Sequence, residues 1–167
     1  MERKYELTNE TKVFCGRTLH RIIAVRDFGN VRKGDKGGWI EKESNLSHDG
    51  DCWVYYEAKV FDNASVSQSA KVYYFAVVCG NAVVYGNAVV YGNAIIRSTK
   101  DYIVFKNWWS SGRYFTWTRS NNMWCVGCFY GTGDELVRKA YADSKQSGRE
   151  YERIVRYVEE IIKNNQE

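Results

Sequence analysis

The sequence predicts a mainly β protein whose centre is a three-sided coil of very short parallel strands. Three observations carry that prediction. Alanine recurs every sixth position at 58, 64, 70, 76, 82, 88 and 94. A branched aliphatic follows each by two positions: Val60, Val66, Val72, Val78, Val84, Val90 and Ile96. After Arg97 the period stops, and β-like alternation leads into helical spacing near the C-terminus.

A period of six matches neither the 3.6 of a helix nor an unbroken two-residue alternation. It fits three short strands and three corners per turn, with the aliphatic and the alanine pointing inward. The run GNAVVYGNAVVYGNAIIR, residues 80–97, shows the unit. Gly-Asn marks the corner because both residues tolerate left-handed backbone angles. Residues 18 apart then stack at the ~4.8 Å strand spacing, which predicts an outer column of Tyr55, Tyr73 and Tyr91 and an inner one of His48, Val66 and Val84. The alanine phase extends upstream through Cys52, Leu46 and Ile40. Tyr-Tyr-Glu at 55–57 and Tyr-Tyr-Phe at 73–75 replace the usual corner, predicting wider or occupied corners. In the later coils Val77, Val83, Val89 and Ile95 take the outward site, predicting one apolar outer surface that the C-terminal part or another copy must cover.

Before the coils, residues 5–36 alternate apolar and polar in glycine-broken pieces (KVFCG, HRIIAVRDF) and read as a small β cap. Such a cap is expected, because the open end of a β-coil exposes backbone donors and acceptors. After them, DYIVF, YFTWT and MWCVGCF read as three strands, with SNN a turn and NWWSSGR a longer loop. Thr132 with Glu135, and Ser147 with Glu150, have capping-box spacing and predict two helix starts. Tyr151, Ile154, Val155, Val158, Ile161 and Ile162 share one face of the second helix. The expected divisions are a β cap at 1–36, the coil at 37–97 and a three-strand, two-helix module at 98–167.

The hexads resemble those of left-handed parallel β-helix (hexapeptide-repeat) proteins. That resemblance implies a left-handed coil of roughly three turns and a homotrimer. The run KGGWIEKESNLSHDGDCWVYYEAKVFDNASV is similar to the start of repeat proteins carried by bacteriophages and prophages. A shorter likeness to the C-terminal part of some of those proteins lies in VGCFYGTGDEL and GREYERIVRYVE.

Composition limits function. The net charge of +4 over 167 residues is too small to argue for an extended nucleic acid, which favours a broad basic track. No stretch approaches the ~20 apolar residues that span a bilayer, and MERKYELTNETK lacks a signal-peptide core, so the expectation is the cytoplasm, in a phage setting that of the host cell. Five cysteines (15, 52, 79, 125, 128) without a secretory signal argue against a disulfide framework. Cys125 and Cys128 form a C-x-x-C with neither a second pair nor a nearby histidine, so no metal site is expected. Only His20 and His48 are present. Hexapeptide-repeat carbonic anhydrases need three histidines, and the acyltransferases of this architecture use one as general base. His48 reads as a structural group in the first coil, so no catalytic residue is assigned and no cofactor is expected.

Aromatic and basic residues gather between 106 and 124. Planar rings stack bases, and guanidinium groups grip phosphate through forked hydrogen bonds. The candidate ligand-binding residues are Lys106, Trp108, Trp109, Ser111, Arg113, Trp117 and Arg119, with Trp117 and Trp124 equally readable as core. The expected ligand is a small nucleotide or another phosphorylated signalling molecule. The resemblance to phage proteins then implies a non-enzymatic sponge that sequesters a host nucleotide signal. The alternatives are a virion component or an inhibitor of a host enzyme, and a hexapeptide-repeat acyltransferase.

Overall fold

The structure is a computed structural model and describes residues 2–166; the outer limits expected at positions 1 and 167 lie outside them. Two long antiparallel strands, β1 (Tyr5–Phe14) and β2 (Arg17–Ala24), form a hairpin, and β3 (Lys36–Ile40) pairs antiparallel with β2. Eight two-residue strands follow: β4 (Trp53–Val54), β5 (Lys59–Val60), β6 (Ser65–Val66), β7 (Lys71–Val72), β8 (Val77–Val78), β9 (Val83–Val84), β10 (Val89–Val90) and β11 (Ile95–Ile96). They stack in parallel on three faces, β3-β5-β8-β11, β4-β7-β10 and β6-β9. The result is a β-solenoid of about three turns, filled by the predicted alanines and aliphatics, all buried.

Two details of the predicted phase are corrected. Ile40 pairs with Val60, and Leu46 bridges to Val66, so both belong to the aliphatic row and not to the alanine row. Val54 follows Leu46 by eight positions instead of six, and the extra residues bulge out between Ser47 and Asp51. His48 therefore leaves the inner column and lies in that bulge, stacked on the Tyr5 ring at 4.3 Å. The single apolar surface is also absent. Val77 and Ile95 share one face, Val89 lies on the second and Val83 on the third. Consecutive hexads turn to different sides, so only residues 18 apart share a face.

Amides at the strand starts donate to a carbonyl of the next coil, as in Ser65 N–H to Ala82 O at 2.9 Å and Lys71 N–H to Ala88 O at 2.9 Å. The parallel strand pairs return bonds in the opposite sense. Each end coil is therefore left with unpaired carbonyls and unpaired amides alike. Buried backbone groups of either kind need partners. At the first coil the Lys4 ammonium, fully buried, donates to Cys52 O (2.9 Å), Gly50 O (3.1 Å) and Asp49 O (3.5 Å). The Tyr5 hydroxyl donates to Leu46 O at 2.7 Å, and Arg21 to Gly37 O at 3.0 Å. At the last coil Thr116 accepts from Val89 N–H (2.9 Å), Ser120 from Ile95 N–H (2.7 Å) and Asp101 from Arg97 N–H (2.8 Å), while the Tyr102 hydroxyl donates to Val83 O (2.9 Å).

The predicted tyrosine column forms, with Tyr55 on Tyr73 at 4.3 Å and Tyr73 beside Tyr91 at 5.6 Å. At the corner it borders, Tyr56 and Tyr74 hold φ of 56° and 58°, where the third corner has Gly92 at 72°. The corners keep the turn geometry of the repeat although tyrosine replaces glycine. Left-handed angles cost an aromatic residue about 1 kcal/mol or more, so the surroundings must impose them. For Tyr56 the grip is visible: Arg21 donates to its carbonyl at 2.7 Å and to Glu57 at 2.9 Å. A side chain at Gly92 would collide with the Tyr130 hydroxyl, which occupies that space.

Glu57 ties the hairpin to the coil. It accepts from Lys12 (2.7 Å), Arg21 (2.9 Å) and the Trp39 indole (3.0 Å), while both cations flank the Trp39 ring. Burial pushes its carboxyl up, but these donors outweigh burial and bring its pKa from 4.5 down to about 2. A depressed carboxylate stabilises the fold above its unfolded pKa and loses that contribution as pH falls through the folded value. Glu57→Gln should therefore lower the melting temperature at neutral pH, with the gap to the native protein closing between pH 4.5 and about 2. A gap independent of pH, measured by thermal denaturation across that window, would show that the charge contributes nothing.

The C-terminal sheet is a meander of β12 (Tyr102–Lys106), β13 (Tyr114–Thr118), β14 (Met123–Val126) and β15 (Phe129–Gly131). Four strands replace the predicted three because MWCVGCF folds back on itself at Gly127, whose φ is 58°. Helices α1 (Gly133–Asp143) and α2 (Lys145–Asn164) cover one face. Thr132 and Glu135 form the expected capping box. The second box does not form. Ser144 caps α2 by accepting from Ser147 N–H at 3.0 Å, placing Ser147 inside the helix. Phe115 and Trp117 pack toward the helices with Tyr151, Val155 and Val158.

Candidate functional site

Alternation along β13 sets up the site. With Phe115 and Trp117 facing the helices, Thr116 points the other way and meets the last solenoid coil at Val89. The sheet thus lies across the end of the last coil, bonded to β10 through Thr116, to β11 through the following Ser120 and to β9 through Tyr102, and clefts open along the seam.

The predicted binding residues are spread around this sheet. Trp117 is fully buried, and its indole donates to Asn122 at 2.8 Å; Trp124 is equally buried. Trp109 is half-buried, edge-on to Tyr151, and donates to Ser147 at 3.3 Å. Trp108 is 70% exposed and lines neither cleft described below. Lys106 is exposed, its ammonium 5.8 Å from the centre of the Tyr114 ring. Arg119 lies beyond the far end of β13 from Arg113, roughly 20 Å away along an extended chain. Ser111 and Arg113 do come together.

Arg113 stands between two clefts. One, of about 260 Å³, lies within the C-terminal part and is lined by Ser111, Asn107, Lys139, Asp143 and Tyr151 among others. Asp143 offsets part of its positive charge. The other, of about 410 Å³, lies in the seam, where Arg113 and Tyr114 face Lys71, Tyr73 and Tyr91 of the solenoid. No carboxylate lines it. Neither Arg113 nor Lys71 has a carboxylate within 4.0 Å among the described residues, whereas Lys12, Arg17 and Arg21 all do. Gly127 matters here, because a side chain at that position would strike the Arg113 guanidinium.

Titratable neighbours do not suggest a nucleophile. Burial pushes the Cys125 thiol up to about 11, so it stays protonated at neutral pH. A hydrogen bond with Tyr74 and burial push Tyr91 up to about 12. The histidines lie elsewhere. His48 accepts from Lys4 N–H at 3.3 Å, burial lowers its pKa, and its Nε2 is buried without a partner. His20 sits in the hairpin, with Nδ1 3.2 Å from Thr8 O.

Lys71 was missed as a site residue, since it occupies an ordinary outward hexad position. Its one sequence signal is that Val89, on the same face one coil later, is apolar, leaving the lysine next to a surface that something must cover.

No known family model matches the chain. It is similar to a protein of Escherichia coli (strain K12) described as "Uncharacterized acetyltransferase YdcK", with 39% identity over 61 residues. The match takes in 32% of this chain and 19% of that protein, so the chain spans about a fifth of the relative's length. No helix among the described residues is long and apolar enough to cross a membrane.

Proposed function

We propose that the protein binds a small phosphorylated ring compound in the seam between solenoid and C-terminal sheet, and holds it without turning it over. One observation carries this reading: Arg113 and Lys71, both lacking a carboxylate partner, line one cleft with three tyrosines. Exposed Arg113 and half-buried Lys71 leave the cleft with positive charge that an anion would offset. A forked guanidinium and an ammonium suit a phosphate, and Tyr114, exposed at the cleft, offers a ring face. The likeness of residues 36–66 to phage-borne repeat proteins makes sequestration of a host nucleotide signal the use that we assign to it. Assembly as a homotrimer belongs to the same proposal, with exposed Val83 and Tyr85 on the third face available to a neighbouring copy.

Acyl transfer is the second reading, favoured by the relative's description. It needs a base beside the acceptor. His48 is stacked on Tyr5 and bonded to Lys4 at the first coil, and His20 is bonded within the hairpin, so neither faces the seam.

The protein purified from bacteria without added ligand, then denatured, should release a phosphorylated small molecule detectable by mass spectrometry. Arg113→Ala should weaken retention about ten- to a hundredfold, the value of one or two charge-assisted hydrogen bonds, with unchanged oligomer mass. Release of free coenzyme A from acetyl-coenzyme A, abolished by His48→Ala or His20→Ala, would instead favour the transferase.

A further inference from the structure

The seam continues past Tyr91 into a second cleft of about 600 Å³ with a different chemistry. Tyr74, Phe75, Tyr91, Tyr130 and Met123 line it, with amides from Asn93 and Asn121, and no charged side chain takes part. Tyr91 lines both clefts. Phe75 is 64% exposed and Tyr74 40%, although Tyr74 stacks on Tyr56 at 5.0 Å and meets Tyr91 edge-on at 4.8 Å. The corner that presents them is the one held at a left-handed angle by Tyr74. At the next coil Gly92 leaves room for Tyr130, so the C-terminal sheet extends the aromatic wall that the solenoid begins.

We infer that this uncharged aromatic cleft receives the base of a nucleotide whose phosphates lie at Arg113 and Lys71. The inference rests on the phosphate reading of the first cleft and adds a separate site for the base. A charged group gains nothing from walls without charge, whereas a planar neutral ring gains stacking on aromatic faces. The amides at the margin supply both a donor and an acceptor for a base edge. Asn121 donates to Asn93 Oδ1 at 3.1 Å and to the Tyr130 hydroxyl at 3.2 Å, which fixes the Asn93 amide and leaves its exposed NH2 group for the ligand. The shared Tyr91 puts the uncharged and the cationic parts next to each other, in the order base then phosphate.

Calorimetry with pyrophosphate, adenosine and the ribonucleoside diphosphates tests this on the full chain, stripped of any copurified ligand by unfolding and refolding. At least one nucleoside diphosphate should bind about ten- to a hundredfold tighter than pyrophosphate, the value of one stacked base. Phe75→Ala, at a largely exposed position, should remove that advantage and leave pyrophosphate binding unchanged. Arg113→Ala should weaken pyrophosphate and nucleotide alike. Pyrophosphate binding with no gain from any base, or a gain untouched by Phe75→Ala, would overturn the base site and leave the phosphate site standing. Adenosine binding that depends on Phe75, with no binding of pyrophosphate, would keep an aromatic site but overturn its union with phosphate. No binding of any probe would remove both.

Discussion

Replacing Lys4 by methionine should destabilise the fold by about 3 kcal/mol, lowering the melting temperature by roughly 6–12 °C for a chain of this size. Methionine keeps most of the length and apolar volume of the stem and removes the three-donor head. The buried Cys52 carbonyl at 2.9 Å then loses its donor where water does not reach, and the Gly50 and Asp49 carbonyls at 3.1 and 3.5 Å lose theirs at the edge of the site. Each orphaned buried acceptor costs about 1–3 kcal/mol. Against this stands relief from burying an ammonium, a cost visible in the pKa of Lys4, which burial lowers. The carbonyl loss wins because several acceptors lose their donor at once while the ion was well coordinated. Lys4→Arg should recover only part, since a planar fork does not match carbonyls gathered around a point. Chemical denaturation that puts the methionine variant within 0.5 kcal/mol of the native protein, the ordinary range for surface positions, would show that Lys4 caps nothing.

Ala82→Phe should rank second, with a loss on the order of 1–3 kcal/mol or more and a broadened transition. Ala82 is fully buried in the last coil, with β6 paired to β9 on one side and the Tyr102 hydroxyl bonded to Val83 on the other. An added ring therefore has to push apart groups whose spacing is fixed by hydrogen bonds. Asn81→Phe, one position earlier and exposed, is the control. Equal melting temperatures for the two variants would mean that the alanine row does not fill the interior.

The central coil was legible because its interior admits only two sizes of side chain. Alanine and valine at fixed positions leave one geometry that buries both. The phase slip at Ser47–Asp51 carried a readable sign as well: Ile40 and Leu46 are too large for the row in which simple counting puts them. Lys4 left no such sign. Its partners lie 45 to 48 residues away, and a lysine near a chain start reads as solvated.

The candidate site was half legible for a similar reason. Clustering along the chain gathered residues 106–119, but Trp117 lies within β13 and went into the core, while Arg113 precedes that strand in the loop and reached the seam. Its companion Lys71 comes from a distant coil. Only the packing of sheet against solenoid brings the two together, and the period that predicts the coil is silent about what leans on it. The fourth strand was hidden inside a single apolar word, MWCVGCF, whose glycine proved to be a turn.

The stacking of like turns between two closures has a consequence for how such a chain grows. Each lid meets only the backbone of the coil it covers, through Lys4 and Tyr5 at one end and through Thr116, Ser120 and Tyr102 at the other. Neither lid reads how many storeys stand between them. Duplicating a whole turn would lengthen the prism and leave both closures intact, whereas adding a single side of the triangle would rotate one closure away from the groups that it serves. Length is thus free to vary in whole turns only, and any seam along the prism would lengthen with it.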